Sequence, residues 1–280
     1  MEPDLVVAVD WSGAVRGVRE VLWLAVAHPA AGGGKLARLE CGRDREETVA
    51  HLIELARIDP RLVVGLDFAF SFPSWFLAER GIRSAREMWE LARLEGEAWL
   101  ALCEPPFWGR PGKPRPDPLA GQSPFRTTES ERLPVRGIAP KSVFQVGGAG
   151  AVGTGSIRGM PKLLELSAAG FSVWPFDPPR LPLVLEIYPR WMTGRTRKTD
   201  EVSRRLFLAS RAGEEDPRLV EIAASSEHAF DAAASAIAMA RAAAELGALE
   251  RARNPADRLE GRIWTPFAPQ LRALGGSRII

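Results

Sequence analysis

Four acidic residues stand where chain geometry can gather them. Asp10 closes a short apolar run, and Asp67 stands near the end of a second such run. Glu186 lies inside the late run 183–188, and Asp231 sits in the first turns of an alanine-rich helical stretch. Two carboxylates about 4 Å apart repel by roughly 4 kcal/mol at an effective dielectric of 20. Three or four together must protonate, move apart or bind a cation. Hard oxygen ligands of this kind suit Mg²⁺ or Mn²⁺. A pair of such ions roughly 4 Å apart activates water and steadies the leaving oxygen in phosphodiester hydrolysis. The chemistry these residue types point to is therefore metal-dependent hydrolysis of a phosphodiester. His228 precedes Asp231 by three residues and shares its helical face, where it can polarise a water or a phosphate. Each of these residues also has an ordinary use: an aspartate ends strands and caps helices, and a histidine packs or caps.

Candidate phosphate contacts lie close by in sequence. Arg190 opens a stretch to Arg205 with six basic residues (Arg190, Arg195, Arg197, Lys198, Arg204, Arg205) against Asp200 and Glu201. Because this run directly follows Glu186, it can hold a phosphate backbone beside the metal centre, or serve as a solvated helix face. Lys141 and Ser12 complete the candidate phosphate-binding set. Trp11, Trp108 and Trp191 are candidate stacking rings or plain core anchors.

These residues need elements to position them. Residues 5–10, 20–28 and 35–40 read as three strands of an antiparallel meander, with a turn at Gly32, Gly33 and Gly34. Asp44 and Glu47 make a capping-box start for a helix reaching about Arg57. A strongly apolar strand follows at 62–68. In a β-β-β-α-β unit the helix supplies the crossover, so the first and fourth strands lie side by side and parallel. Asp10 and Asp67 then meet at the carboxyl edge of the sheet, where α/β sheets hold ligands.

Further on, residues 84–103 form a helix. Residues 104–140 carry nine prolines and no period, the mark of a functional or mobile loop. Residues 143–146 are a short strand, 147–159 a Gly-rich loop, and Pro161 the first residue of a helix to about Ala169. Strands at 171–176 and 183–188 precede helices at 199–210, 217–224 and 227–246, the last capped by Ser225 or Ser226. The final 30 residues are irregular.

Composition narrows the function classes. The chain has 280 residues, 37 Lys and Arg against 35 Asp and Glu, and a net charge of +2. That excludes bulk electrostatic binding of polyanions and leaves a local basic groove open. Cys41 and Cys103 fit neither a metal spacing nor a disulfide framework, which points to a reducing compartment. The first residues lack a positive n-region, and no apolar run approaches the roughly 20 residues that span a bilayer. The expectation is a cytoplasmic protein with no membrane partner.

A rival reading rests on Gly148-Ala149-Gly150-Ala151-Val152-Gly153, which matches the G-x-G-x-x-G of dinucleotide-binding enzymes, with Asp177 24 residues further on. Its context argues against it, because Gly155, Gly159 and Pro161 delay any helix past the motif. A sugar-kinase or actin-like ATPase, suggested by the turn Asp10-Trp11-Ser12-Gly13, would need a second such domain.

Four segments carry a resemblance to a known family. They are 6–13 (VVAVDWSG), 63–70 (VVGLDFAF), 185–190 (LEIYPR) and 228–233 (HAFDAA). Together they resemble family 429 of the domains of unknown function, regarded as a predicted branch of the RNase H-like nucleases. The likeness runs from the first strand to the C-terminal helix. It implies an RNase H-like α/β fold, nuclease activity, and Asp10, Asp67, Glu186 and Asp231 as the acidic centre. RNase H enzymes proper take one acid from the first helix, whereas here it comes from the strand holding Glu186. The expectation is one RNase H-like domain over residues 1–280 with an insertion at 84–176. It would be a Mg²⁺- or Mn²⁺-dependent phosphodiester hydrolase acting on nucleic acid. The alternatives are a non-catalytic binding protein of the same fold and a metal-dependent hydrolase of a small phosphorylated molecule. In the latter, residues 104–160 would fold over the site as a lid.

Overall fold

The computed structural model describes residues 2–30, 33–117, 121–130, 139–211 and 215–266. Gly32 of the expected turn and part of the proline-rich stretch lie outside them.

The chain opens with β1 (Leu5–Asp10), a one-turn helix α1 (Val18–Val21), β2 (Trp23–Ala30) and β3 (Gly33–Glu40). The second strand therefore starts three residues later than its apolar pattern suggests, since residues 18–21 turn as a helix. Helix α2 (Arg45–Ile58) begins at the expected capping box, with Asp44 accepting from Glu47 N–H and Glu47 reaching back to the Asp44 N–H. It leads to β4 (Leu62–Leu66), and two further helices follow, α3 (Ser74–Ala78) and α4 (Ala85–Leu102). Within the proline-rich stretch, the described residues hold one helical turn, α5 (Thr127–Ser130).

The chain then forms α6 (Gly153–Ala168), β5 (Ser172–Val173) and β6 (Leu183–Glu186). Five helices complete it: α7 (Pro189–Thr193), α8 (Glu201–Arg211), α9 (Pro217–Ser225), α10 (Glu227–Arg241) and α11 (Ala243–Gly247), before a last turn, α12 (Asp257–Glu260). The long C-terminal helix expected at 227–246 breaks at Ala242.

The six strands form one mixed sheet in the order β3-β2-β1-β4-β6-β5. The meander β1-β2-β3 is antiparallel, whereas β1-β4, β4-β6 and β6-β5 are parallel. The parallel neighbours β1 and β4 are those that the α2 crossover demands. Both are buried along their whole length, as expected of central strands covered on two faces. Val7, Val9 and Val64 face a core shared with α2, α4 and α6, while Val6, Ala8 and Val63 face α10. The alanines of α10 let it lie close to the sheet. Gly65 has the same effect, since a Cβ there would stand 2.6 Å from Met239 Sδ.

Two expectations about the insertion change. Residues 143–146 form no strand; Gln145 makes an isolated bridge with Trp108. Helix α6 starts at Gly153, inside the Gly-rich stretch, and Pro161 lies within it. Its glycines are packing sites: a Cβ on Gly153 would fall 2.2 Å from Val143 O, and one on Gly159 2.7 Å from the Phe68 ring. Close packing outweighs the low helix propensity of glycine here. Cys41 and Cys103 are both free. Among the described residues, no helix is long and apolar enough to cross a membrane.

Candidate functional site

The carboxyl ends of β1, β4 and β6 align at one edge of the sheet. Asp67 N–H donates to Val9 O at 3.1 Å, and Ile187 N–H donates to Leu66 O at 3.0 Å. This register brings Asp10, Asp67 and Glu186 to one end. The start of α10 adds His228 and Asp231, positioned by Ser226, whose hydroxyl accepts from Ala229 N–H. All five line one cavity of about 470 Å³.

Each carboxylate has different company. Asp10 is buried and accepts a hydrogen bond from His228 Nδ1 at 2.7 Å. Burial raises the Asp10 pKa, and His228 only partly offsets it. The same hydrogen bond raises the His228 pKa above that of a free imidazole. Asp231 Oδ2 lies 2.5 Å from Lys198 Nζ, while Oδ1 is buried with no hydrogen-bond partner. Burial pushes the Asp231 carboxyl up to about 6, with Lys198 opposing and Asp10 adding to the rise. The Asp67 pKa is raised well above the usual carboxylate range, by burial and then by the charges of Asp10 and Asp231. Burial is the largest cause of each rise, and neighbouring carboxylates add to it at Asp67 and Asp231.

Glu186 is arranged otherwise. Its Oε1 and Oε2 take the guanidinium of Arg126 at 2.5 and 2.8 Å, and Phe70 N–H adds a third bond to Oε2 at 3.0 Å. Arg126 also binds Glu129 and the carbonyl of Glu260. Glu186, expected among the metal ligands, is thus paired with an internal cation that it shares with Glu129. The pairing ties α5 and the α12 region to the end of β6. Nothing in the sequence marks Arg126, which lies in the stretch without period.

Among the described residues, no group of three or more His, Cys, Asp or Glu side chains is already disposed to hold a metal ion. Lys198 and His228 instead hold Asp231 and Asp10 individually.

The candidate phosphate contacts separate. Ser12 turns its hydroxyl to its own loop, accepting from Ala14 N–H at 3.1 Å, and the cavity is lined there by Trp11, Gly13 and Ala14 instead. Lys141 lines the acidic cavity and also a second cavity of about 830 Å³. Arg190 lines this second cavity, with Arg195, Arg197 and Lys198 beside it. Arg190 also donates to Thr196 O, fixing the loop that carries Lys198. Tyr188 and Glu227 border both spaces. Burial, then Asp67, pushes the Tyr188 hydroxyl up to about 12, so it remains a protonated donor.

Trp11 and Trp108 are buried, and Trp191 packs edge-on against Tyr188; the first two are core anchors rather than stacking surfaces. The Gly-rich motif meets α6 at its last glycine. The loop after β1 packs on that helix start so closely that a Cβ on Gly13 would lie 2.4 Å from Gly155 N. Pro140, Lys141, Ala151, Val152, Thr154 and Gly155 therefore wall one side of the acidic cavity.

The molecule is an α/β protein with a carboxylate-lined cavity at the carboxyl edge of its sheet and a basic cavity adjoining it. Compared with family models, curated proteins and solved structures, the chain matches none.

Proposed function

We propose that the chain is a divalent-metal-dependent phosphodiester hydrolase with an RNase H-like arrangement, acting on nucleic acid. The observation that carries this reading is the convergence of Asp10, Asp67 and Asp231 from three elements. Among the three, Asp67 has neither the lysine nor the histidine that attends the others. The antiparallel β1-β2-β3 meander, joined through α2 to a parallel β4, supports the RNase H-like arrangement. The four segments resembling the predicted nuclease family fall on the elements that bear the acids.

The donor set fits a hard divalent ion. Asp10, Asp67 and Asp231 would hold Mg²⁺ or Mn²⁺, and the orphaned Asp231 Oδ1 is an oxygen in need of such a partner. Glu186 is left out of this set. When bound, the ion supplies Lewis acidity and lowers the pKa of water for attack on phosphorus. The chain's own residues do the rest. Lys141 and Arg190 bind phosphate oxygens in the adjoining basic space, and His228, oriented by Asp10, holds a proton at the edge of the acidic cavity.

A second reading has a specific observation behind it. Arg126, Pro140 and the start of α6 line the acidic cavity, and its size suits a small ligand. A small phosphorylated molecule is therefore the alternative substrate.

One experiment separates the two. The protein is incubated with Mn²⁺ and labelled single-stranded, double-stranded and hybrid DNA and RNA, with a panel of nucleoside monophosphates in parallel. Strand cleavage that a chelator stops and Asp10→Asn abolishes, with the mutant still folded, supports the nuclease. Phosphate release from the monomers alone moves the reading to the small molecule. Inertness toward both panels, with Mn²⁺ bound, overturns hydrolysis.

A further inference from the structure

Lys198 stands between the two cavities. Its side chain is nearly buried, its ammonium lies 2.5 Å from Asp231 Oδ2, and it also lines the basic cavity. Its backbone is fixed. Arg204, itself buried on α8, donates to the Lys198 carbonyl and to Ala224 O, and Arg190 holds Thr196 O two residues away. A rigid backbone under a four-carbon stem leaves the ammonium as the movable part. On one side it meets a carboxylate, and on the other a space lined by Lys141, Arg190 and Arg197. These neighbours repel it toward Asp231 until an anion enters among them.

We infer that Lys198 is an internal counter-ion that occupies Asp231 in the resting protein and transfers to a tetrahedral anion in the basic cavity, freeing Asp231 for the metal. Lys198 is a positioning residue in this scheme, and metal binding is coupled to anion binding. The inference rests on the metal-site reading above. Two cations competing for one carboxylate oppose each other. An anion that draws one of them away tightens the binding of the other, and by linkage the metal tightens the anion equally.

The test is a Mn²⁺ titration followed by electron paramagnetic resonance of the free ion, on the full chain without substrate. Lys198→Met keeps the stem and removes the charge. It should bind Mn²⁺ more tightly than the wild type, on the order of tenfold or more given the strength of a contact charge pair. Sodium sulfate, a tetrahedral dianion, should tighten Mn²⁺ binding by the wild type and have no such effect on Lys198→Met. If removing the lysine lowers the metal-free stability, the Mn²⁺-induced rise in melting temperature should be larger in Lys198→Met and in Lys198→Gln than in the wild type. Equal or weaker Mn²⁺ affinity in both variants overturns the counter-ion role. In that case Asp67-dependent binding in the wild type leaves the metal site standing. Absence of Asp67-dependent Mn²⁺ binding from wild type and variants alike overturns both.

Discussion

Arg126 and Glu186 form a two-point ion pair, 2.5 and 2.8 Å long, in which the side chains are 1% and 3% exposed. They lie 60 residues apart in the chain, one in the proline-rich stretch and the other at the end of β6. The pair draws in Glu129 on the same guanidinium, while Glu260 accepts from the Thr127 and Ser74 N–H groups. A guanidinium presents its donors in a planar fork that matches a carboxylate edge. The result is a buried polar junction beside the acidic cavity, with Glu186 committed to holding the wall in place.

Removing one partner of such a junction strands the others. Arg126→Met leaves Glu129 and Glu186 buried without a cation and should cost about 3–5 kcal/mol, read by urea unfolding. Glu186→Gln should also lose stability, yet leave Mn²⁺ affinity close to that of the wild type. A large loss of Mn²⁺ affinity in Glu186→Gln would return Glu186 to the ligand set.

Asp67 should behave in the opposite way. A carboxylate whose pKa is raised by burial and by like charges is destabilising when ionised. Asp67→Asn removes the cost of burying that charge and its repulsion by Asp10 and Asp231, and should stabilise the metal-free protein at neutral pH. The same change should abolish Mn²⁺ binding. Thermal unfolding with and without Mn²⁺ checks both halves.

The His228 imidazole depends on Asp10 for its raised pKa. In Asp10→Asn the acceptor charge is gone, so the His228 pKa should fall toward or below that of a free imidazole. Proton NMR of the three histidine rings across pH 5–9 reports this directly. An unchanged His228 midpoint would mean that the Asp10 contact does not set its charge.

Asp231 gives the pH dependence its direction. Its folded pKa of about 6 lies above the ordinary carboxylate value. A group raised in this way contributes stability that is fully present below its unfolded pKa and is lost as pH rises through the folded value. In metal-free buffer, the wild type should therefore lose stability relative to Asp231→Asn between about pH 4 and pH 6. Mn²⁺ affinity should run the other way, weakening as pH falls below about 6, because a protonated carboxyl is a poor ligand. Differential scanning calorimetry and Mn²⁺ titrations over this range measure the two trends.

Much of the fold could be read along the chain because its signals are local. The β-branched run at 5–10 and the capping box at Asp44 each depend on residues within a few positions of one another. The meeting of Asp10 and Asp67 was also legible, because one crossover helix allows the first and fourth strands a single sensible arrangement. Local signals misled where packing overrode them. The glycines of α6 read as helix breakers, yet Gly153 and Gly159 sit where backbone and the Phe68 ring leave no room for a Cβ.

The sequence by itself determined that Asp10 and Asp67 meet at the sheet edge, since a single crossover helix sets the first and fourth strands side by side and parallel. The tertiary structure alone decided what each acid meets there: Arg126 for Glu186, Lys198 for Asp231, His228 for Asp10. The physical reason is that charge pairing depends on distance through space and on exclusion of water. Neither quantity is encoded in the spacing of residues along the chain.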